Sequence, residues 1–184
     1  MYAISCNPGQ CVAVGGTVVK QRPKAWNLSL GQWHTDALPN GAYSYRTLSS
    51  VSCPLVDMCV GVGVIGDVYK NGKDKGFAEQ LTAGVWHRMA LPTGTLGLSS
   101  ISCVSTTWCM AIGSEYLDAL GQTTRTIALK WNGMTWNNVT APVTSLTGPS
   151  PVLDAVSCSS INFCMEVGYS VESTPLAEAW NGTS

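Results

Sequence analysis

Hydrophobic and polar residues alternate along most of this chain in short runs, and glycine, proline or Asn-Gly pairs separate the runs. Alternation with a period of two predicts β-strands whose two faces meet different surroundings. No run of about ten residues shows the three- and four-residue apolar spacing of an amphipathic helix. The pattern therefore predicts an all-β protein.

The alternating runs belong to a repeat of about 50 residues, which is a period of supersecondary units. One phrase, a β-branched residue followed by Ser-Cys, occurs four times. After each phrase come a second cysteine, a few apolar or small residues and a glycine. The phrases are Ile4-Ser5-Cys6, Val51-Ser52-Cys53, Ile101-Ser102-Cys103 and Val156-Ser157-Cys158.

Each unit divides into four short strands. The first contains the Ser-Cys phrase and the second contains the second cysteine. The third strand carries a Trp in three units, and the fourth opens with a Trp in three. We interpret these tryptophans as equivalent packing residues: Trp26, Trp131 and Trp180 on the third strand, and Trp33, Trp86 and Trp136 on the fourth.

Four antiparallel strands at this period are typical of β-propeller blades. We predict one domain or segment over residues 1–184, with blades at about 1–46, 47–96, 97–150 and 151–184. The last blade lacks its outer strand in this prediction. A β-sandwich is the alternative fold, but it would not explain four copies.

The turn at Trp131-Asn132-Gly133-Met134-Thr135-Trp136 resembles a degenerate Asp-box hairpin of sialidase-like propellers, with no aspartate. The fourth unit looks like the Ser-Cys and Trp-Asn-Gly repeats of secreted actinobacterial proteins of unknown function. This resemblance covers nearly the whole chain. It implies a propeller and no established activity.

The cysteines form four local pairs, which could be disulfides, metal ligands or reduced thiols. Each pair flanks the first turn of its unit, so strand pairing brings it to disulfide distance. Zinc would need closer spacing or nearby histidines. We predict four disulfides, and hence an oxidising compartment, a secreted or cell-surface location and a signal sequence outside this chain. The predicted bonds are Cys6–Cys11, Cys53–Cys59, Cys103–Cys109 and Cys158–Cys164.

Composition narrows the function classes. The chain is 45% hydrophobic and 11% charged, with a net charge of −1, which is unlike a disordered tail or a coiled coil. That charge gives no basis for nucleic-acid binding. No stretch is apolar over the length that a membrane span needs, so we predict no membrane insertion.

The polar residues predict no catalytic centre, metal site or cofactor. A sialidase-like site would need an arginine cluster with Asp, Tyr and Glu, yet the arginines fall at unrelated positions in their units. We interpret Glu115 and Asp118 as a solvated loop pair, and His34 and His87 as structural or solvent-facing. The four arginines are Arg22, Arg46, Arg88 and Arg125.

Trp108 is the one ligand-binding candidate, because it lies in the first turn of its unit. An aromatic there could stack on a sugar or anchor a protein, or pack on the neighbouring hairpin. We expect a non-catalytic extracellular recognition or structural scaffold that binds a glycan or a cell-surface protein through its loops.

Two alternatives stay open. One is part of a carbohydrate-active, glycoside hydrolase-like propeller whose catalytic residues lie outside this chain. The other is a self-associating surface or adhesive module. It would be joined through the open edge of blade four, which bears Leu176 and Trp180.

Overall fold

The computed structural model describes residues 1–16, 23–39, 45–66, 74–117, 124–139, 151–170 and 172–183. Within these ranges the chain forms fifteen β-strands in four antiparallel sheets, each with its strands in sequence order. The strands are β1 Ala3–Asn7, β2 Gln10–Gly16, β3 Pro23–Ser29, β4 Gln32–Asp36, β5 Tyr45–Leu55, β6 Met58–Gly66, β7 Lys75–Thr82, β8 Val85–Met89, β9 Thr95–Ser105, β10 Trp108–Tyr116, β11 Thr124–Trp131, β12 Trp136–Val139, β13 Val152–Ser160, β14 Phe163–Tyr169 and β15 Pro175–Trp180.

The prediction of an all-β propeller with four blades is confirmed. Blade 1 is β1–β4, blade 2 is β5–β8, blade 3 is β9–β12 and blade 4 is β13–β15. The first strands of blades 2 and 3 begin at Tyr45 and Thr95, so two predicted boundaries fall just inside strands. Blade 4 has three strands among the residues described here.

All four predicted disulfides are present, and each joins the first two strands of a blade. Their Cα–Cα distances are 4.1, 4.0, 3.9 and 3.9 Å. Such short separations are typical of antiparallel positions that do not exchange backbone hydrogen bonds. The N–H of the first cysteine of each pair therefore points away from its hairpin partner.

The repeated glycine four residues after the second cysteine permits a β-bulge. In blade 3 the register shifts between Ile112 and Gly113, which leaves Ser99 of β9 as the extra residue. A Cβ on Gly113 would lie 2.0 Å from the carbonyl oxygen of Gly97, which no side chain can accommodate. The glycines of blades 2 and 4 meet the same obstacle, at 1.9 Å: Gly63 and Gly168.

Strand pairing corrects one predicted equivalence. Trp131 and Trp180 each lie opposite the second cysteine of their blade, at Cys109 and Cys164. In blade 1 that position is Leu28, and Trp26 lies two residues earlier. Residues two apart on a strand share a face, so the alternating pattern alone does not reveal this slip.

Three hydrophobic clusters hold the blades together in sequence order. The first seam joins blades 1 and 2, the second joins blades 2 and 3, and the third joins blades 3 and 4. Each seam packs the second strand of one blade against the first strand and the tryptophan or leucine side chains of the next blade. In the part of the chain that the structure describes, no cluster joins blade 4 to blade 1.

Candidate functional site

The serines of the first three Ser-Cys phrases each accept a hydrogen bond from the following blade. The N–H of Cys53 donates to the Ser5 hydroxyl at 3.0 Å. The same bond joins Cys103 to Ser52 at 2.9 Å and Cys158 to Ser102 at 3.0 Å. These hydroxyls take up the backbone donors that the disulfide-linked positions leave unused, so the phrase has a structural role.

Trp108 lies at the third seam. It is partly buried and packs against the cluster that contains Met110 and Trp180. Its counterparts before the second cysteine also reach the next blade: Met58 belongs to the second seam, and Gln10 hydrogen-bonds to Asp57. The structure thus places Trp108 in blade-to-blade packing, while ligand binding by it stays a prediction.

Two of the arginines converge within blade 2, although their sequence positions look unrelated. The Nη2 atoms of Arg46 and Arg88 lie 2.5 and 3.3 Å from Oε1 of Glu79, which is fully buried. Both guanidinium groups also lie over the Phe77 ring, at 5.2 and 4.8 Å from its centroid. Arg46 Nη1 donates to the Pro39 carbonyl at 2.6 Å.

This cluster is an ion-pair network at the first seam, in which Glu79 and Arg46 are buried and the Arg88 side chain is about one-third exposed. Burial raises the pKa of Glu79, and the two arginines act in the opposite direction. The sequence contains a signal for this convergence. Arg46 lies two residues from Leu48, and Arg88 two residues from Trp86, so both arginines share the strand face that packs against blade 1. Both arginines are directed at the protein's own carboxylate.

A cleft of about 370 Å³ crosses blades 2, 3 and 4 near the bulges of their first strands. We call it the hydroxyl cleft, after its polar lining. Its walls also include Val64, Leu98 and Leu153. The polar residues are Ser49, Ser99, Ser114, Thr124, Arg125 and Thr126.

Some of these hydroxyls are engaged and others are available. The Ser99 hydroxyl lies 3.0 Å from the Leu153 carbonyl oxygen and 3.2 Å from that of Ile112. Thr126 donates to the Pro151 carbonyl. The hydroxyls of Ser49, Ser114 and Thr124 have no hydrogen-bond partner among the described residues, so they are available to hydrogen-bond to a ligand.

Arg125, the cation of the hydroxyl cleft, is held by Glu115. The sequence analysis interpreted Glu115 wrongly. Glu115 is buried in β10, not solvated in a loop, and faces Arg125 across the sheet. Arg125 Nε and Nη2 lie 2.6 and 2.5 Å from Glu115 Oε1. The Arg125 side chain stays half-exposed. The predicted partner Asp118 and the fourth arginine, Arg22, lie outside the described residues.

Two further acids, Glu166 and Glu178, lie directly opposite one another on β14 and β15 at the third seam. Among the described residues neither forms an ion pair, and each has an Oε2 atom with no hydrogen-bond partner. Burial and the neighbouring Glu178 raise the pKa of Glu166 to about 7. Burial also raises the pKa of Glu178.

The remaining predicted residues lie on the surface or form no cluster. His34 and His87 are exposed on the fourth strands of their blades. Over the described ranges, no group of three or more His, Cys, Asp or Glu residues is placed to hold a metal ion. The same ranges contain no helix of the length and apolarity that a bilayer crossing requires.

The comparisons with known proteins bear on the fold. No family model matches the chain, and no curated protein matches it. A solved structure titled "YCF48 bound to D1 peptide" aligns with 98% of this chain at 12% identity and a TM-score of 0.52. That protein is a β-propeller, and this chain spans 52% of its chain. This protein accordingly has a β-propeller fold, built from four blades that each contain one disulfide.

Proposed function

We propose that this chain is a non-catalytic recognition scaffold of a secreted or cell-surface protein, and that it binds an extended polypeptide segment in the hydroxyl cleft. The observation that carries the proposal is the polar lining of that cleft. Hydroxyls that have no hydrogen-bond partner in the described part of the chain lie beside an arginine that Glu115 holds in place. Apolar walls with a few fixed polar groups are typical of ligand sites.

The chemistry of the cleft suits a peptide. Serine and threonine hydroxyls can donate to main-chain carbonyls and accept from main-chain N–H groups. Arg125 can bind a ligand carboxylate or carbonyl with the donors that Glu115 leaves unused. The neighbouring propeller structure is titled as a peptide complex, which supports the same class of ligand for this fold.

The four disulfides support the proposed location. Such bonds persist in oxidising compartments and are rare in reducing ones. Kinship with the Ser-Cys/Trp-Asn-Gly and Asp-box propellers is also part of the proposal. The Asn132 side chain supports it, because its oxygen accepts from the N–H groups of Met134 and Thr135 at 3.0 and 2.8 Å, as a turn aspartate would.

The proposal is tested by selecting a displayed random peptide library on the folded protein, with a glycan array as the competing probe. Ser49→Leu fills the cleft, and Thr107→Leu, at an exposed hairpin tip, is the matched control. We expect the selected peptides to lose at least about tenfold in affinity on Ser49→Leu and to keep it on Thr107→Leu.

Two results would contradict the proposal. One is peptide binding that Ser49→Leu leaves unchanged, and the other is cleft-dependent binding of glycans without peptides. Trp108→Ala is less informative as a binding test, because this residue packs at the third seam and its loss also weakens the fold.

A further inference from the structure

Two fourth-strand tryptophans occupy the same position in their blades but have different hydrogen-bond surroundings. Trp86 of blade 2 lies opposite Leu81, and Trp136 of blade 3 lies opposite Trp131. The Trp86 indole N–H donates to Oδ2 of Asp36, in the preceding blade, at 3.0 Å. The Trp136 indole nitrogen is buried and has no hydrogen-bond partner among the described residues. A buried donor without an acceptor costs free energy, which a bound acceptor would recover.

One difference between the repeats explains why Trp136 has no acceptor. Asp36 pairs with Ala25 across its sheet, and Met89 pairs with Ala78 at the same point of blade 2. The thioether of methionine is only a weak acceptor. Met89 and Trp136 both belong to the second seam. The first seam therefore contains a carboxylate at a position where the second seam contains an apolar side chain.

A cleft of about 410 Å³ opens at this part of the second seam. We call it the seam cleft. Its volume and its mainly apolar walls with few polar groups are typical of small-molecule sites. No acidic residue lines it in the described part of the chain. The walls include Gln80, Arg88, Met89, Trp131, Thr135 and Trp136.

Arg88 gives the seam cleft a cation that the protein neutralises only in part. Its one ion-pair partner among the described residues is Glu79, and Glu79 also pairs with Arg46. Two guanidinium groups thus share one carboxylate, which leaves one positive charge in excess when Glu79 is ionised. Glu79 and the Phe77 ring, at 4.8 Å from the Arg88 guanidinium carbon, hold the group, while its side chain stays 34% exposed. A guanidinium held in this way complements an anion.

We propose that the seam cleft binds a small carboxylate with an apolar body, of the class of arylalkyl carboxylic acids. The ligand carboxylate takes the place that Asp36 has in the first seam, where it accepts from the Trp136 indole N–H and from Arg88. The unbranched, flexible side chain of Met89 moves aside to open the path to the indole. The apolar body packs on the remaining walls. This inference is independent of the proposed peptide binding, which uses the hydroxyl cleft.

Nuclear magnetic resonance of the oxidised, isotope-labelled chain tests the proposal, because each of the seven tryptophans gives one indole N–H signal. Phenylacetate should shift the Trp136 signal downfield, as a new hydrogen bond to a carboxylate does. The Trp86 signal should stay in place, since its N–H already has an acceptor. Trp136→Phe and Trp86→Phe assign the two signals.

Two matched probes separate the parts of the ligand. Phenylacetamide keeps the apolar body and lacks the carboxylate charge, and glucuronate keeps the carboxylate on a polar sugar. Each should bind at least about tenfold more weakly than phenylacetate.

Variants of the cleft repeat or remove its chemistry. Met89→Asp reproduces the first seam within the second, so its carboxylate should accept from the Trp136 indole and exclude phenylacetate. Met89→Ala opens the same path without adding an acceptor and should keep the binding. Arg88→Gln should weaken it at least about tenfold. Ser49→Leu, in the hydroxyl cleft, is the control and should leave it unchanged.

Circular dichroism and eight blocked thiols establish that each variant is folded. A Trp136 signal that phenylacetate does not shift overturns the proposal. So does binding that Met89→Asp and Arg88→Gln leave unchanged, or equal affinity for phenylacetate and either matched probe. Loss of binding on Ser49→Leu also overturns it, since that result places the carboxylate in the hydroxyl cleft.

Discussion

Replacing Glu166 with glutamine should remove a pH dependence of stability. Glu166 is 2% exposed and lies opposite Glu178, and its Oε2 atom has no hydrogen-bond partner among the described residues. Burial and the charge of Glu178 raise its pKa from 4.5 to about 7. The folded state therefore holds this proton more tightly than the unfolded state does.

The sign and size of the pH effect on the free energy of unfolding follow from this difference in proton affinity. A raised carboxyl pKa leaves stability highest below about pH 4.5, lowers it between about pH 4.5 and pH 7, and leaves it low above that range. At 1.36 kcal/mol for each pKa unit, the loss is at most about 3 kcal/mol. Glu166→Gln should stabilise the protein by up to this amount at pH 8 and change little at pH 4.

Urea unfolding at several pH values measures the effect, with amide exchange in β14 as a probe of blade 4 itself. The control is Glu172→Gln, at an exposed acid outside the strands. Parallel pH profiles for wild type and Glu166→Gln would refute the reasoning. They would mean that Glu166 is solvated or paired with a cation in the folded state.

Three further predictions concern the bulge glycine, a seam serine and the buried arginine, and each is measured as a change in the free energy of unfolding. Gly113→Ala should cost more than about 2 kcal/mol, because its Cβ would lie 2.0 Å from a carbonyl oxygen, while Gly97→Ala, whose Cβ has its nearest contact at 3.5 Å, should be tolerated. Equal losses at the two glycines would contradict the bulge argument. Ser102→Ala should cost about 1 kcal/mol by removing the third-seam hydrogen bond, and an unchanged midpoint would count against it. Arg46→Met should cost about 3 to 5 kcal/mol, because Glu79 loses a buried partner, and adding Glu79→Leu should restore most of the loss. A double variant as unstable as the single one would disagree with this account.

Much of the architecture could be predicted because local rules repeat four times. The Ser-Cys phrase, the second cysteine and the following glycine recur at one period, and pairing the first two strands brings each cysteine pair together. Disulfide connectivity is local here, since five or six positions separate the partners. The hairpin alone therefore decides it.

Sites that depend on several strands could not be predicted in the same way. The sequence pairs Glu115 with its near neighbour Asp118 in a predicted loop, whereas its partner Arg125 lies across the sheet at a position set by strand register. The convergence of Arg46 and Arg88 on Glu79 also depends on strand register, so the sequence did not predict it. The sequence does not reveal the offset of Trp26 either, because a two-residue shift preserves the alternation of faces.

By itself, then, the sequence determined the β-strand content, the four blades and the four disulfides, since these follow from alternation, period and contacts within one hairpin. Only the tertiary structure decided which charges are buried and which hydroxyls line a cleft. Those properties depend on how one blade covers the next. A residue such as Met165 has the same local pattern as Met110, and only the presence of a following blade decides whether it is buried.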